Sequence, residues 1–223
     1  MSRRVSPAFN INSPIPGQWE DYVTQLPAGL EIVPKHHWDE ENYVGNGAGT
    51  GTRQLDFFVN IQGKNLNQTS MKQPRQLPNP EAMLIQNIRV KFKQPVQSDN
   101  SGAGDATPLV SSFNDLVQLA DFGVMQITIG EKNYGPFLPW TLPANSFVKG
   151  AFSTGSDLLA SYGQIDGVLY PLFPNLMIAP LQQFSVTLTW PGGAITLSTD
   201  TEEVASELPI VVLLDGQGSR AIQ

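Results

Sequence analysis

RQLDFFVNIQGKNLNQTSMKQPRQLPNPEAMLIQNIRVKFK, residues 53–93, is the stretch from which the fold is read. It holds two strand-like runs, 53–60 and 82–93, joined by a polar link with prolines towards its end. In the second run Ile88, Val90 and Phe92 alternate with Arg89, Lys91 and Lys93. Successive side chains of a strand point to opposite faces, so the apolar set shares one sheet face and the cations share the other. The same rule separates Phe57 from Phe58, placing one in the core and the other against a neighbour or a covering element.

Downstream the chain continues in the same manner. Candidate strands lie at 124–130, 137–142, 146–152, 165–170, 184–190, 194–197 and 208–214. The cleanest is 184–190, where Phe184, Val186, Leu188 and Trp190 alternate with Ser185, Thr187 and Thr189, the pattern of a sheet with one wet face. The run 208–214 (LPIVVLL) is apolar on both faces and predicts a strand covered twice, with Pro209 confined to its entry or to an edge. Two short helices are expected in loops. At 112–122, Phe113, Leu116, Val117 and Ala120 fall at helical spacing ahead of Gly123; at 156–162, Ser156 serves as cap and Gly163 as stop.

Residues 1–52 read as an extended N-terminal arm. Pro7, Pro14, Pro16, Pro27 and Pro34 recur irregularly, and the apolar residues between them keep no period. Those residues, Phe9, Trp19, Trp38 and Tyr43 among them, need burial on the parent domain or on a neighbouring subunit. The arm ends in a glycine joint, GNGAGTG at 45–51. The sandwich then spans 53–215, and 216–223 form a C-terminal tail. Two polar linkers, 94–108 and 198–207, are expected in solvent.

Composition narrows the classes of function. Hydrophobic residues are 40% of the 223 and charged ones only 15%, with 20 glycines and 18 prolines. That mixture suits many turns and few long helices. It also suits surfaces buried between subunits, which carry fewer charges. The net charge is −7 and no basic block occurs, so direct nucleic-acid binding, which needs several phosphate contacts, is not expected. Without cysteine there is neither disulfide nor thiolate metal site. No run approaches the roughly 20 apolar residues of a spanning helix, and MSRRVSPAFNINSP is not a secretory signal; synthesis in a cytoplasm is expected.

Candidate chemistry is sparse. The most metal-like run is His36-His37-Trp38-Asp39-Glu40-Glu41, which contains the only two histidines. Adjacent histidines on an extended chain point apart, so the run is read as a solvated arm segment rather than a metal site. Residues 99–105 (DNSGAGD) have the composition of a calcium loop but lack its distal glutamate. Ser146-Phe-Val-Lys149 matches S-x-x-K without its companion motifs, and Asn67-Gln-Thr69 is a glycosylation sequon of little weight without secretion. Trp140, between Pro139 and Pro143, is either a sugar-stacking platform or a packing residue at a subunit contact. No catalytic, cofactor or metal residue is assigned, and the chain is not read as an enzyme.

In the order LDFF, a polar turn, NQTSM, then QLPNPEAMLIQNIRVKF, residues 55–92 resemble the opening strands of jelly-roll capsid proteins of bacterial viruses. The helix expected at 112–122, followed by VMQITIG, is similar in placement to helices of those folds. The resemblance covers about residues 53–215 and implies an all-β, eight-stranded single jelly-roll sandwich of two antiparallel sheets. It implies a major capsid protein of an icosahedral phage, self-assembling into trimers or hexamers and then a shell. The missing basic arm suits a shell whose inner side faces an internal membrane or another protein layer, and leaves room for a second coat or penton protein. The virion is the implied location. The competing class is a carbohydrate- or receptor-binding β-sandwich module of a phage or bacterial surface structure.

Overall fold

The computed structural model describes residues 18–24, 26, 29–47, 49, 51–93, 107–139, 151–154, 157–160, 170–197 and 207–222. In chain order these form α1 (Gln18–Thr24), β1 (Leu30–Val44), β2 (Gln54–Phe57), β3 (Met83–Phe92), α2 (Thr107–Phe122), β4 (Val124–Ile129), β5 (Lys132–Phe137), β6 (Ala151–Thr154), β7 (Asp157–Ala160), β8 (Tyr170–Ile178), β9 (Phe184–Thr189) and β10 (Glu207–Ala221). One sheet has the order β1-β10-β3-β8, the other β2-β9-β4-β5, and β6-β7 make a separate hairpin.

The pairing is nested. β1 pairs with β10, β2 with β9, β3 with β8 and β4 with β5, all antiparallel. The chain is thus one long double ribbon with its closed end between β4 and β5. Winding that ribbon drops successive pairs into alternate sheets, where β10 meets β3 and β4 meets β9. This is the eight-stranded single jelly roll of two antiparallel sheets.

Alternation builds the core as expected for β3 and β9, and β4 follows the same pattern. Ile88, Val90, Met125, Ile127, Ile129, Val186 and Leu188 are fully buried between the sheets, each burial worth roughly 1.5–3 kcal/mol. Tyr43 and Trp190 meet edge-on at 4.5 Å in the same core. α2 closes one end with Leu116, Leu119 and Ala120. It begins at Thr107 rather than 112, with Pro108 in the first turn where its missing N–H costs nothing.

Several expectations need correction. The arm does not reach residue 52: Leu30–Val44 is a full strand, paired over its whole length with β10. Its Pro34 is tolerated because β1 is an edge strand bonded on one side. The part of the arm before Gln18 lies outside the described residues. The tail from 216 is likewise strand, since β10 runs to Ala221. Within the helix expected at 156–162, residues 157–160 are instead strand β7, paired with β6, and the rest of that range lies outside the described residues. Among the described residues the α-helices are α2 and α1, the latter packing Trp19 and Tyr22 on Ala82, Leu84 and Met177 outside the first sheet. β5 sits at 132–137 and meets the expected 137–142 only at Phe137; residues 140–142 lie outside the described residues, as do 146–150 and 165–169 of two further expected strands, and 194–197 is not a strand. Phe58 shares the core with Phe57 because its φ of +66° turns the ring back inward, 5.4 Å from Phe184.

Candidate functional site

The β2–β3 connection, residues 58–82, lies along β1. Thr69 bridges to Asp39, and the Ser70 N–H donates to the Trp38 carbonyl at 2.9 Å, so the outer edge of β1 is partly paired rather than left open. Tyr43 places one face of β1 towards the core, and by alternation Glu41, Asp39, His37 and Lys35 share that face. All four meet the connection. Lys35 and Lys72 pair with Glu81. His37 Nδ1 lies 3.0 Å from Ser70 Oγ. Lys64 Nζ donates to Asp39 Oδ1 at 2.9 Å and to Glu41 Oε1 at 2.6 Å. Asp39 Oδ2 accepts the Phe58 N–H at 2.6 Å.

This polar seam is largely shut off from water, and its protonation behaviour follows. Burial, with the Lys35 charge nearby, lowers the His37 pKa to about 4; its Nε2 is buried without a hydrogen-bond partner, so the neutral ring is the form that fits. Burial raises Glu41 against the opposing pull of Lys64. Burial also works to raise Glu81, but Lys35 and Lys72 outweigh it and hold that carboxyl low.

The opposite face of β1 carries His36, Trp38 and Glu40. Asp215 of β10 accepts two hydrogen bonds from Arg89, at 2.6 and 2.9 Å, and lies 2.6 Å from His36 Nδ1. Glu40 pairs with Lys93. The His36–Asp215 couple is two-thirds of a hydrolase triad, but Asp215 is shared with Arg89 and, among the described residues, no hydroxyl is bonded to the free nitrogen of His36. The run 36–41 is therefore split between two faces, and among the described residues no three His, Asp or Glu side chains converge as a metal site.

The expectation of a solvated arm segment fails for His37, Asp39 and Glu40, which are buried. Asn67 is exposed and Thr69 buried. Residues 99–105, Trp140 and 146–149 lie outside the described residues. The functionally interesting partners Lys64, Ser70, Glu81 and Asp215 were passed over in the sequence. A signal existed for Lys64 alone: three consecutive acids at 39–41 need cations, and the 58–82 segment supplies Lys64 to Asp39 and Glu41, whereas Lys72 pairs with Glu81 and Glu40 with Lys93.

The exterior of the β2-β9-β4-β5 sheet is of another kind. It presents Gln54 and Asp56 from β2, Ser185, Thr187 and Thr189 from β9, Val124, Gln126 and Thr128 from β4, and Asn133 from β5. The carboxylate among these, Asp56, already accepts from Thr187 Oγ1 at 2.9 Å and from Gln54. Among the described residues no helix is long and apolar enough to cross a membrane.

Fold and faces together define a class: a single jelly-roll sandwich with one polar, charge-poor sheet face and one strand locked by buried ion pairs. No family model, curated protein or solved structure matches the chain.

Proposed function

We propose that the chain is a structural virion protein, the major capsid protein of an icosahedral bacterial virus, building a shell through contacts between its own copies. A jelly roll also serves lectin domains and cupins, so the fold alone does not choose among them. The observation that carries the reading is the outer face of β2-β9-β4-β5, whose outward alternate positions among the described residues carry one charged side chain, Asp56. A sheet face kept in water ordinarily carries both signs of charge, whereas interface centres are depleted of charge. Such a face is suited to a second copy. A lattice repeats modest contacts many times, so multiplicity rather than one large interface supplies the stability. The acidic balance and lack of a basic block favour a shell that does not grip its genome directly.

Size-exclusion chromatography with light scattering, followed by negative-stain microscopy, tests the reading across ionic strength and protein concentration. Trimers, hexamers or closed particles are the expected result. A strict monomer under all conditions that binds glycans would replace it with the carbohydrate-binding module.

A further inference from the structure

Within the seam, Lys64, Asp39 and Glu41 form a group whose geometry goes beyond ion pairing. The side chains are 13%, 0% and 23% exposed. The Lys64 amine touches Asp39 Oδ1, one bond from the carboxyl carbon, and touches Glu41 Oε1 with another of its hydrogens. On the far side of the Asp39 carboxyl, the Phe58 N–H is fixed 2.6 Å from Oδ2. The four parts are a nucleophilic amine, an electrophilic carbon, a proton carrier on the amine, and a donor aimed where negative charge would build up.

We infer that Lys64 and Asp39 join in a self-catalysed isopeptide bond, with Glu41 as the proton carrier, stapling the 58–82 connection to β1.

The step balances without any co-reactant. Glu41 takes a proton from the Lys64 ammonium and passes it to Asp39 Oδ1. The neutral amine attacks Asp39 Cγ, forming the C–N bond, and the negative charge collects on Oδ2 beside the Phe58 N–H. Glu41 removes a second proton from nitrogen and delivers it to Oδ1. The Cγ–Oδ1 bond breaks and Oδ1 departs as water. Of the three ammonium protons, two leave with that water and one stays on the amide nitrogen. Glu41 ends as it began.

Burial favours the reaction on two counts. An ion pair withdrawn from water retains a desolvation cost that a neutral amide does not carry. Held reactants in contact also react as if at effective concentrations of about 10⁵ M or more. Glu41, raised by burial and opposed by Lys64, is suited to hold a proton in passing. Asp39 rather than Glu41 is the acceptor, because Asp39 is fully buried and carries the backbone donor. Lys35 and Glu81 lack this arrangement. Their third member is Lys72, a second amine where a proton-accepting carboxylate would be required.

The test is the mass of the intact, denatured full chain after incubation at neutral pH. The expected mass is one water below that of the sequence, and proteolysis yields a branched peptide joining residue 39 to residue 64. Lys64→Arg keeps the cation and Glu41→Gln keeps the shape, and both are expected at full sequence mass. A folded wild-type chain at full sequence mass after prolonged incubation overturns the inference. So does a water loss that persists in Lys64→Arg, because the dehydration then lies elsewhere. Neither result bears on assembly, so this inference and the shell reading stand or fall separately.

Discussion

Asp39 Oδ2 accepts the backbone N–H of Phe58 at 2.6 Å, where Phe58 holds a φ of +66°. A bulky residue in the left-handed region is strained by roughly 1–2 kcal/mol, and here a fully buried carboxylate on the opposite sheet offsets that cost. The contact lets the chain leave β2, keep both phenylalanine rings in one core, and pass beneath β1. The hydrogen bond thus links the turn after one strand to the seam of another.

Replacing Asp39 by Ala should be among the most damaging substitutions in this chain. It leaves Lys64 buried beside one carboxylate, and it leaves the Phe58 N–H unsatisfied. Breaking a buried pair on one side costs about 3–5 kcal/mol, before counting loss of the covalent bond inferred above. Urea unfolding of the variant against wild type measures it, and a loss below about 1 kcal/mol would show that the seam contributes little.

Acid should weaken the protein through His37. The free side chain titrates near 6.5 and the folded one at about 4. Between those values the unfolded chain binds the extra proton, so stability is complete above the upper value, declines as pH falls, and levels off below the lower. The shift corresponds to a loss of about 3 kcal/mol. His37→Gln removes the titrating group. The pH slope between 6.5 and 4 should shrink in that variant by the same amount, and an unchanged slope would place the sensitivity elsewhere.

Gly216 sits at the bulge where β10 changes register against β3. A Cβ there would fall 1.9 Å from the Leu84 carbonyl oxygen, a backbone atom that cannot step aside. Gly216→Ala should destabilise by at least about 2 kcal/mol. By contrast Gly192, whose Cβ would meet nothing within 4 Å, should tolerate alanine within about 0.5 kcal/mol. Paired thermal melts decide between the two.

Charge placed on the β2-β9-β4-β5 exterior should separate folding from assembly. Thr187→Lys or Gln126→Lys should change monomer stability by no more than about 0.5 kcal/mol. Each should nevertheless abolish or sharply reduce higher oligomers, because like charges would face each other across the contact. Normal particles from both variants would remove this face from the interface.

Strands with an apolar alternate set were legible one by one. Ile88-Val90-Phe92 and Phe184-Val186-Leu188 name their own buried face, because a period of two is a local property of the chain. The sandwich class followed from them, as did the long apolar strand at 208–214 and the helix ending at Phe122. β1 was illegible for a physical reason. Its inward set is Lys35, His37, Asp39 and Glu41, which no local rule would bury. Only tertiary structure supplies Lys64, Ser70 and Glu81 to neutralise and bond them, turning a stretch that looks solvated into an inner face. The same holds for Phe58, whose direction depends on Asp39 rather than on its neighbours in sequence. Local chemistry determined which segments are strands with a dry side. Long-range pairing, β1 to β10 across the whole chain, decided where the sandwich begins and which charges lie inside it.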